Sequence, residues 1–127
     1  MSYKEINNKL KQIKIEDYIW IIYIGIIILS FYSNSLEADY YINSNLESKE
    51  KYRNTIILIF TVLIFVYIYF LKSSIDDINN LKPWDSYEKK KLVTLSFIAS
   101  LLIAVSGFIF LYIALRDDNL DVELAFN

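Results

Sequence analysis

The sequence predicts an all-α integral membrane protein: a three-helix bundle with helical extensions outside the bilayer and a short acidic C-terminal tail. Its composition is the first observation, because 55% of the 127 residues are hydrophobic and 17% are aromatic, with two Gly and one Pro. That is too apolar, and too poor in loop-forming residues, for a water-soluble domain of this length. The second observation is that the charged residues, 22% of the chain, lie outside three long uncharged stretches. The third is that aromatic residues gather near the ends of those stretches, as side chains at a membrane–water interface do.

The three uncharged stretches are residues 18–36, 54–71 and 92–115, and we predict that each crosses the bilayer as a helix within a single domain, 1–127. A spanning helix needs about 20 mostly apolar residues, whereas a membrane strand needs roughly 9–11 with alternating polarity. None of the stretches alternates. In hydrocarbon every backbone polar group must be satisfied within its own segment, so a helix is expected despite the many Ile residues. A soluble bundle would leave these helices without a polar face for water.

Residues 1–14 form a predicted amphipathic segment with one apolar helical stripe and several lysines. Two interpretations stay open: the segment lies on the inner leaflet, attracted by anionic lipid, or it extends the first span. A third interpretation joins it to the first span as a signal peptide, with cleavage near Ser33 and Ser35, although that apolar run is long for one.

Capping signals predict where the connecting segments become helical. Ser2 with Glu5, Ser44 with Glu47, and Asp85 with Glu88 have the spacing of a capping box. The second helix is therefore expected to begin near residue 45 and the third near residue 86, both outside the bilayer. Acid-first pairs at i, i+4 support the same three helices: Glu5–Lys9, Glu47–Lys51 and Asp85–Lys89.

The distribution of cations predicts the orientation. Three spans place the N terminus and the second loop on one side, and that side holds nine of the 13 cations. The positive-inside rule then puts the N terminus in the cytoplasm and the C terminus outside the cell. The main topology determinants on the cytoplasmic side are Lys72 and the triplet Lys89, Lys90 and Lys91.

Small residues predict where helices pack. In lipid, helices associate through close contact of small side chains and through hydrogen bonds between side chains. Residues Ser96, Ser100 and Ala104 are spaced by four along the third span, and Gly107 continues the same face. Gly25 and Thr61 are the corresponding candidates on the first and second spans. This set predicts a helix-packing interface, either between the three helices of the chain or with another subunit.

Residues 116–127 form an acidic tail, which we expect to be solvated. Its Asp117, Asn119 and Asp121 imitate the start of a calcium loop, but Val122 stands where such a loop needs Gly. We therefore predict no metal site there.

The residue types that are missing limit the chemistry. The chain has no Cys and no His, and no charged residue lies inside a span. This argues against a catalytic nucleophile with its base, against a proton relay, and against a bound cofactor or metal. The net charge of −2 lacks the excess of positive charge that is typical of nucleic-acid-binding domains, so we predict no nucleic-acid partner. No small-molecule substrate is apparent.

The functional hypothesis is a small non-enzymatic protein of the cell membrane, multi-pass, that acts by helix–helix association with another membrane protein or with itself. Its partners are the lipid bilayer and either a membrane protein or further copies in a homo-oligomer. Two alternatives are a pore-forming, holin-like oligomer and a membrane-located immunity or protective protein. Lys outnumbers Arg by 11 to 2, a bias typical of AT-rich genomes that suggests a bacterial source.

Overall fold

A computed structural model describes residues 2–124, which form three α-helices and no strand. Helix α1 runs Tyr3–Asn43, α2 runs Leu46–Asn79 and α3 runs Tyr87–Arg116. All three are long and apolar enough to cross a membrane, which confirms the all-α fold with three candidate spans. The predicted acidic tail includes residues 125–127, and the predicted amphipathic segment includes residue 1. These four residues lie outside the described residues.

Each helix is longer than the span predicted within it. Helix α1 has 41 residues, α2 has 34 and α3 has 30. At 1.5 Å of rise per residue, α1 alone is about 60 Å long, roughly twice the thickness of the hydrocarbon layer. Residues 3–14 belong to this helix, so the N-terminal segment is continuous with the predicted first span.

The helix starts follow the predicted chemistry, with two corrections. Ser2 and Glu5 form the predicted capping box. The cap of α2, however, is Asn45 and not Ser44, because the Asn45 side chain accepts hydrogen bonds from the backbone N–H groups of the first turn. Ser44 instead ends α1 in the left-handed conformation, with φ 52°.

The cap of α3 is likewise one residue later than predicted. The Ser86 hydroxyl accepts from the Lys89 backbone N–H at 3.1 Å. The Asp85 carboxylate turns back and accepts from the Lys82 N–H at 2.7 Å, which closes the loop around Pro83. This backbone hydrogen bond is the main reason that the pKa of Asp85 lies below its ordinary value. Two predicted ion pairs are present, Lys51–Glu47 at 3.0 Å and Lys89–Asp85 at 3.3 Å.

Helix α2 is the centre of the molecule. Both α1 and α3 pack against it, while within residues 2–124 no Cα atom of α1 lies within 8 Å of a Cα atom of α3. The core is formed by one face of α2. On this face the Phe60 ring stacks on the Phe110 ring of α3, with 5.6 Å between the ring centroids. Its most buried members are Tyr52, Ile56, Ile59, Phe60 and Leu63, joined by Ala114 and Leu124. The outward faces of α1 and α3 expose large apolar side chains, as lipid-facing surfaces do.

One end of the molecule, formed by residues 37–53 and 116–124 and called here the tail end, is closely packed. Asp39 joins the first two helices there: its carboxylate accepts hydrogen bonds from Ser48, from Asn43 at 2.6 Å and from Asn45 at 2.8 Å. These bonds, that from Ser48 first, hold the pKa of Asp39 below its ordinary value. The turn between α1 and α2 is thereby fixed.

The described part of the tail folds back on this end, although its residues 118, 119 and 121–123 are exposed. Leu124 is 6% exposed within the core, although the acidic side chain of Asp118 is exposed. The Asp117 carboxylate accepts from the backbone N–H groups of Asn119, Asp121 and Val122. The acidic side chains therefore stay at the surface, while burial of Leu124 holds the segment in place.

Arg53 of α2 fastens the tail. Its guanidinium forms an ion pair with Asp118 at 2.9 Å and donates to the Leu115 carbonyl at 2.8 Å. The Tyr41 hydroxyl adds a hydrogen bond from α1 to the Leu120 carbonyl at 3.1 Å. All three helices thus contribute to one compact end.

Candidate functional site: a polar groove between the helices

A groove opens at the other end of the molecule, formed by residues 2–17 and 72–91 and called here the groove end. It lies over α2, in the space that α1 and α3 leave between them, and has a volume of about 420 Å³. The lining comes from all three helices, and nine of its eleven residues carry a polar side-chain atom: Gln12, Glu16, Tyr23, Tyr67, Phe70, Ser73, Ser74, Asp77, Ser96, Ser100 and Ile103. The groove starts beside the helix ends that extend past the predicted spans and reaches into those spans.

The helical repeat explains why α1 is polar here. Gln12, Glu16 and Tyr23 are separated by four and seven residues, so they share one face of the helix. The Gln12 amide donates to the Ser73 hydroxyl of α2 at 3.2 Å, which joins the two helices at the floor of the groove. Ser74 beside it is 4% exposed and donates to the Leu71 carbonyl of its own helix at 2.8 Å.

The predicted small-residue stripe of α3 divides into two parts. Ser96 and Ser100 line the groove, where Ser96 is exposed and Ser100 half-buried. Ala104 and Gly107 lie farther along α3 and are buried against α2. A Cβ atom added to Gly107 would lie 2.9 Å from the Cδ2 atom of Tyr67, so the absence of a side chain lets the two helices approach closely.

The two remaining candidates lie elsewhere. A Cβ atom added to Gly25 would have no non-local atom of residues 2–124 within 4 Å, so this glycine faces open space. The Thr61 hydroxyl donates to the Ile57 carbonyl of the preceding turn at 2.7 Å. The structure therefore places Ser96 and Ser100 in the groove, Ala104 and Gly107 in the seam between α2 and α3, and Gly25 outside both. Thr61 is half-buried and does not line the groove.

The predicted topology determinants surround the groove end. Lys89 pairs with Asp85, and the Lys90 ammonium group donates to the Pro83 carbonyl at 3.1 Å. Lys72 and Lys91 are exposed. None of these four lysines lines the groove.

Two carboxylates in the groove escaped the sequence analysis. Glu16 is half-buried on α1, and Asp77 is exposed on α2, six residues beyond the predicted span. The signal was available, because Gln12 and Glu16 stand at i, i+4 on the face that continues to Tyr23. The apolar stretch 18–36 begins after both residues, so a site predicted from that stretch alone does not include them.

Chemically, the groove offers two carboxylates, hydroxyl groups and three aromatic rings, those of Tyr23, Tyr67 and Phe70, near the ends of the predicted spans. Such a lining suits polar and cationic groups carried by another helix. Comparisons of this chain with protein-family models, with curated proteins and with solved structures find no match.

Proposed function

We propose that this chain is a non-enzymatic membrane protein that acts by binding another membrane protein, or further copies of itself, through its helices. The observation that carries the proposal is the open space between α1 and α3. A closed bundle would bring these two helices together, but here a groove with small hydroxyl residues separates them. Small side chains and hydroxyl groups are what helices use to associate in lipid.

The outer surfaces agree with a chain embedded in lipid on its remaining sides. Large apolar residues on α1 and α3 are more than half exposed, among them Ile21 at 62%, Ile28 at 64% and Leu102 at 62%. In water such a surface would aggregate, whereas lipid solvates it. A partner that enters the groove would leave these faces in contact with lipid.

The proposal includes an orientation. The groove end carries nine lysines and seven carboxylates, and the tail end, with the whole C-terminal segment, carries four cations and eight carboxylates. By the positive-inside rule the groove end then faces the cytoplasm of the cell, and the tail end faces outward.

Paired substitutions test the association. Ser96→Leu with Ser100→Leu fills the groove without touching the seam between α2 and α3. Self-association is measured in liposomes by energy transfer between labelled copies, and partners are identified after purification in mild detergent. The matched control is Ser106→Leu, since Ser106 is exposed on the same helix, lies outside the groove and donates to its own backbone at 2.8 Å. Both assays unchanged in the paired variant, with the control behaving alike, would refute the groove as the contact.

The pore alternative is separated by the same liposomes. A pore of this chain would release an entrapped dye in proportion to the protein added. We expect intact vesicles, because the α3 hydroxyls do not share one face: Ser96 and Ser100 line the groove, while Ser106 bonds its own helix. No residue favours the protective alternative.

A further inference from the structure

We propose that the groove receives a transmembrane helix that carries a lysine or arginine at the membrane interface, with the carboxylates of Glu16 and Asp77, which lie at two depths of the groove, as the available partners of that cation. This inference rests on the proposed function and adds the chemistry of the partner. The partner is a protein helix that would lie in the groove as a fourth helix beside α1, α2 and α3.

The charge of the groove is the first argument. Glu16 and Asp77 come from different helices, yet both line one cavity of about 420 Å³. Neither forms an ion pair within residues 2–124, whereas Lys89 at the same end pairs with Asp85. Their sequence neighbours Asp17 and Asp76 do not line the groove. Two carboxylates in one recess therefore await a positive charge from outside the chain.

The depth of the groove is the second argument. Glu16 lies two residues before the first predicted span, and the Gln12–Ser73 hydrogen bond places it one helical turn deeper than Ser73, level with the end of the second predicted span. A cation at this level leaves part of its water shell, so its attraction to a carboxylate exceeds that in bulk water. A lysine or arginine near a helix end reaches the interface along its aliphatic stem, which the walls of Phe70 and Ile103 would cover.

The shape of the groove is the third argument. Ser96 and Ser100 are small, and α1 does not reach across to α3. An entering helix can approach α3 closely and touch α2 at the floor, as small residues allow in lipid. The two hydroxyl groups add hydrogen-bond acceptors for the same cation.

A pair of synthetic helices tests the inference with the full chain. Each is a Leu/Ala-rich transmembrane peptide, one with a single Lys at the headgroup level and its twin with Gln there. Both are added to the reconstituted protein in vesicles of zwitterionic phosphatidylcholine, and association is measured by energy transfer. We expect the Lys peptide to associate about tenfold more tightly, as a charge-assisted hydrogen bond implies.

Neutral, nearly isosteric substitutions test whether Glu16 and Asp77 cause the preference for the Lys peptide. In Glu16→Gln with Asp77→Asn, the preference for the Lys peptide should disappear, while the matched control Asp17→Asn with Asp76→Asn should keep it. Circular dichroism checks that both variants retain their helices. Equal association of the two peptides with the unaltered protein would overturn the inference, as would an equal loss of preference in the control.

The outcome also separates this inference from the proposed function. If both peptides bind equally, and Ser96→Leu with Ser100→Leu weakens both, the groove docks helices without charge recognition, and only this inference fails. If neither peptide binds and self-association is absent, the proposed function fails as well.

Discussion

The two ends of the molecule are built on opposite principles. At the tail end, α1, α2, α3 and the tail converge, with Leu124 buried and Arg53 bound to both the tail and α3. At the groove end, no segment of residues 2–124 fills the space between α1 and α3, and polar groups line an open recess. The same helix, α2, supplies the centre of both.

Polar chemistry differs accordingly. At the tail end, two carboxylates each accept three hydrogen bonds from the chain: Asp39 from side chains and Asp117 from backbone N–H groups. Tyr52 is buried there and shares a hydrogen bond with Glu37, and burial is the larger cause of its raised pKa. At the groove end Glu16 and Asp77 lack such partners within the described residues. Asp39 and Asp117 at the tail end thus find their partners within the chain, whereas Glu16 and Asp77 at the groove end are available to a second molecule.

Enlarging a side chain on α3 should give the largest difference in stability between the two ends. Ala114→Leu places extra methyl groups in the packed core of the tail end and should lower the free energy of unfolding by about 2 kcal/mol. The same enlargement in Ser96→Leu enters open space and should change it by less than about 0.5 kcal/mol. Unfolding in mixed micelles, followed by the fluorescence of Trp20 and Trp84, measures both. Similar losses would mean that the groove end is packed as tightly as the tail end.

The two glycines extend the contrast to the middle of the helices. Gly107→Ala forces the Tyr67 ring to move and should destabilise the protein by about 1.5 kcal/mol. Gly25→Ala adds a methyl group where nothing stands and should be neutral within about 0.5 kcal/mol. The same unfolding assay applies. A destabilising Gly25→Ala would reveal a neighbour on α1, as expected of a subunit contact at that point.

Removing the charge of Arg53 should loosen the tail end alone. Arg53→Gln loses the ion pair to Asp118 and the bond to the Leu115 carbonyl, a change of about 1 kcal/mol that raises the open fraction of the tail about fivefold. Limited proteolysis of the tail measures it. Arg116→Gln is the matched control, since Arg116 is exposed and lies over the Tyr112 ring. Equal cleavage of both variants would contradict the role given to Arg53.

Acid should produce the smallest effect, confined to the tail. Hydrogen bonds from backbone N–H groups, that of Val122 first, hold the pKa of Asp117 below its ordinary value of 3.8. A carboxyl group with a lowered pKa stabilises the fold above that ordinary value, and the contribution is lost as the pH falls through the lower pKa of the folded state. NMR shifts of the Asn119, Asp121 and Val122 amides should therefore change only below about pH 3.8. In Asp117→Asn they should already be altered at neutral pH, and a titration unchanged by that substitution would contradict this role.

The sequence predicted those parts of the fold that depend on solvent and local chemistry. Hydrocarbon requires helices, so the three spans follow from the absence of charge in 18–36, 54–71 and 92–115. The capping box of Ser2 and Glu5 is likewise local. The Ser44 and Asp85 caps were each one residue early because a neighbour with an equally good side chain, Asn45 or Ser86, took the position.

The groove could be predicted in part. The stripe from Ser96 to Gly107 was found as one interface, but it serves two surfaces, since Tyr67 fills the space at Gly107 while Ser96 and Ser100 remain uncovered. Which surface each residue joins depends on the rotation of α3 about its axis, and that is set by contacts distant in sequence. The folding back of the tail escaped prediction for the same reason: Leu124 reaches a core formed by residues more than sixty positions earlier.

Labelling from the two sides of an intact membrane tests the central claim, that three spans put the two ends on opposite faces. The chain has no Cys, so Asn119→Cys at the tail end and Lys82→Cys at the groove end each introduce a unique thiol. With a membrane-impermeant maleimide on intact cells, the account predicts that Asn119→Cys is labelled at once, and that Lys82→Cys is labelled only after the membrane is permeabilised. Labelling of both thiols from the same side would contradict it.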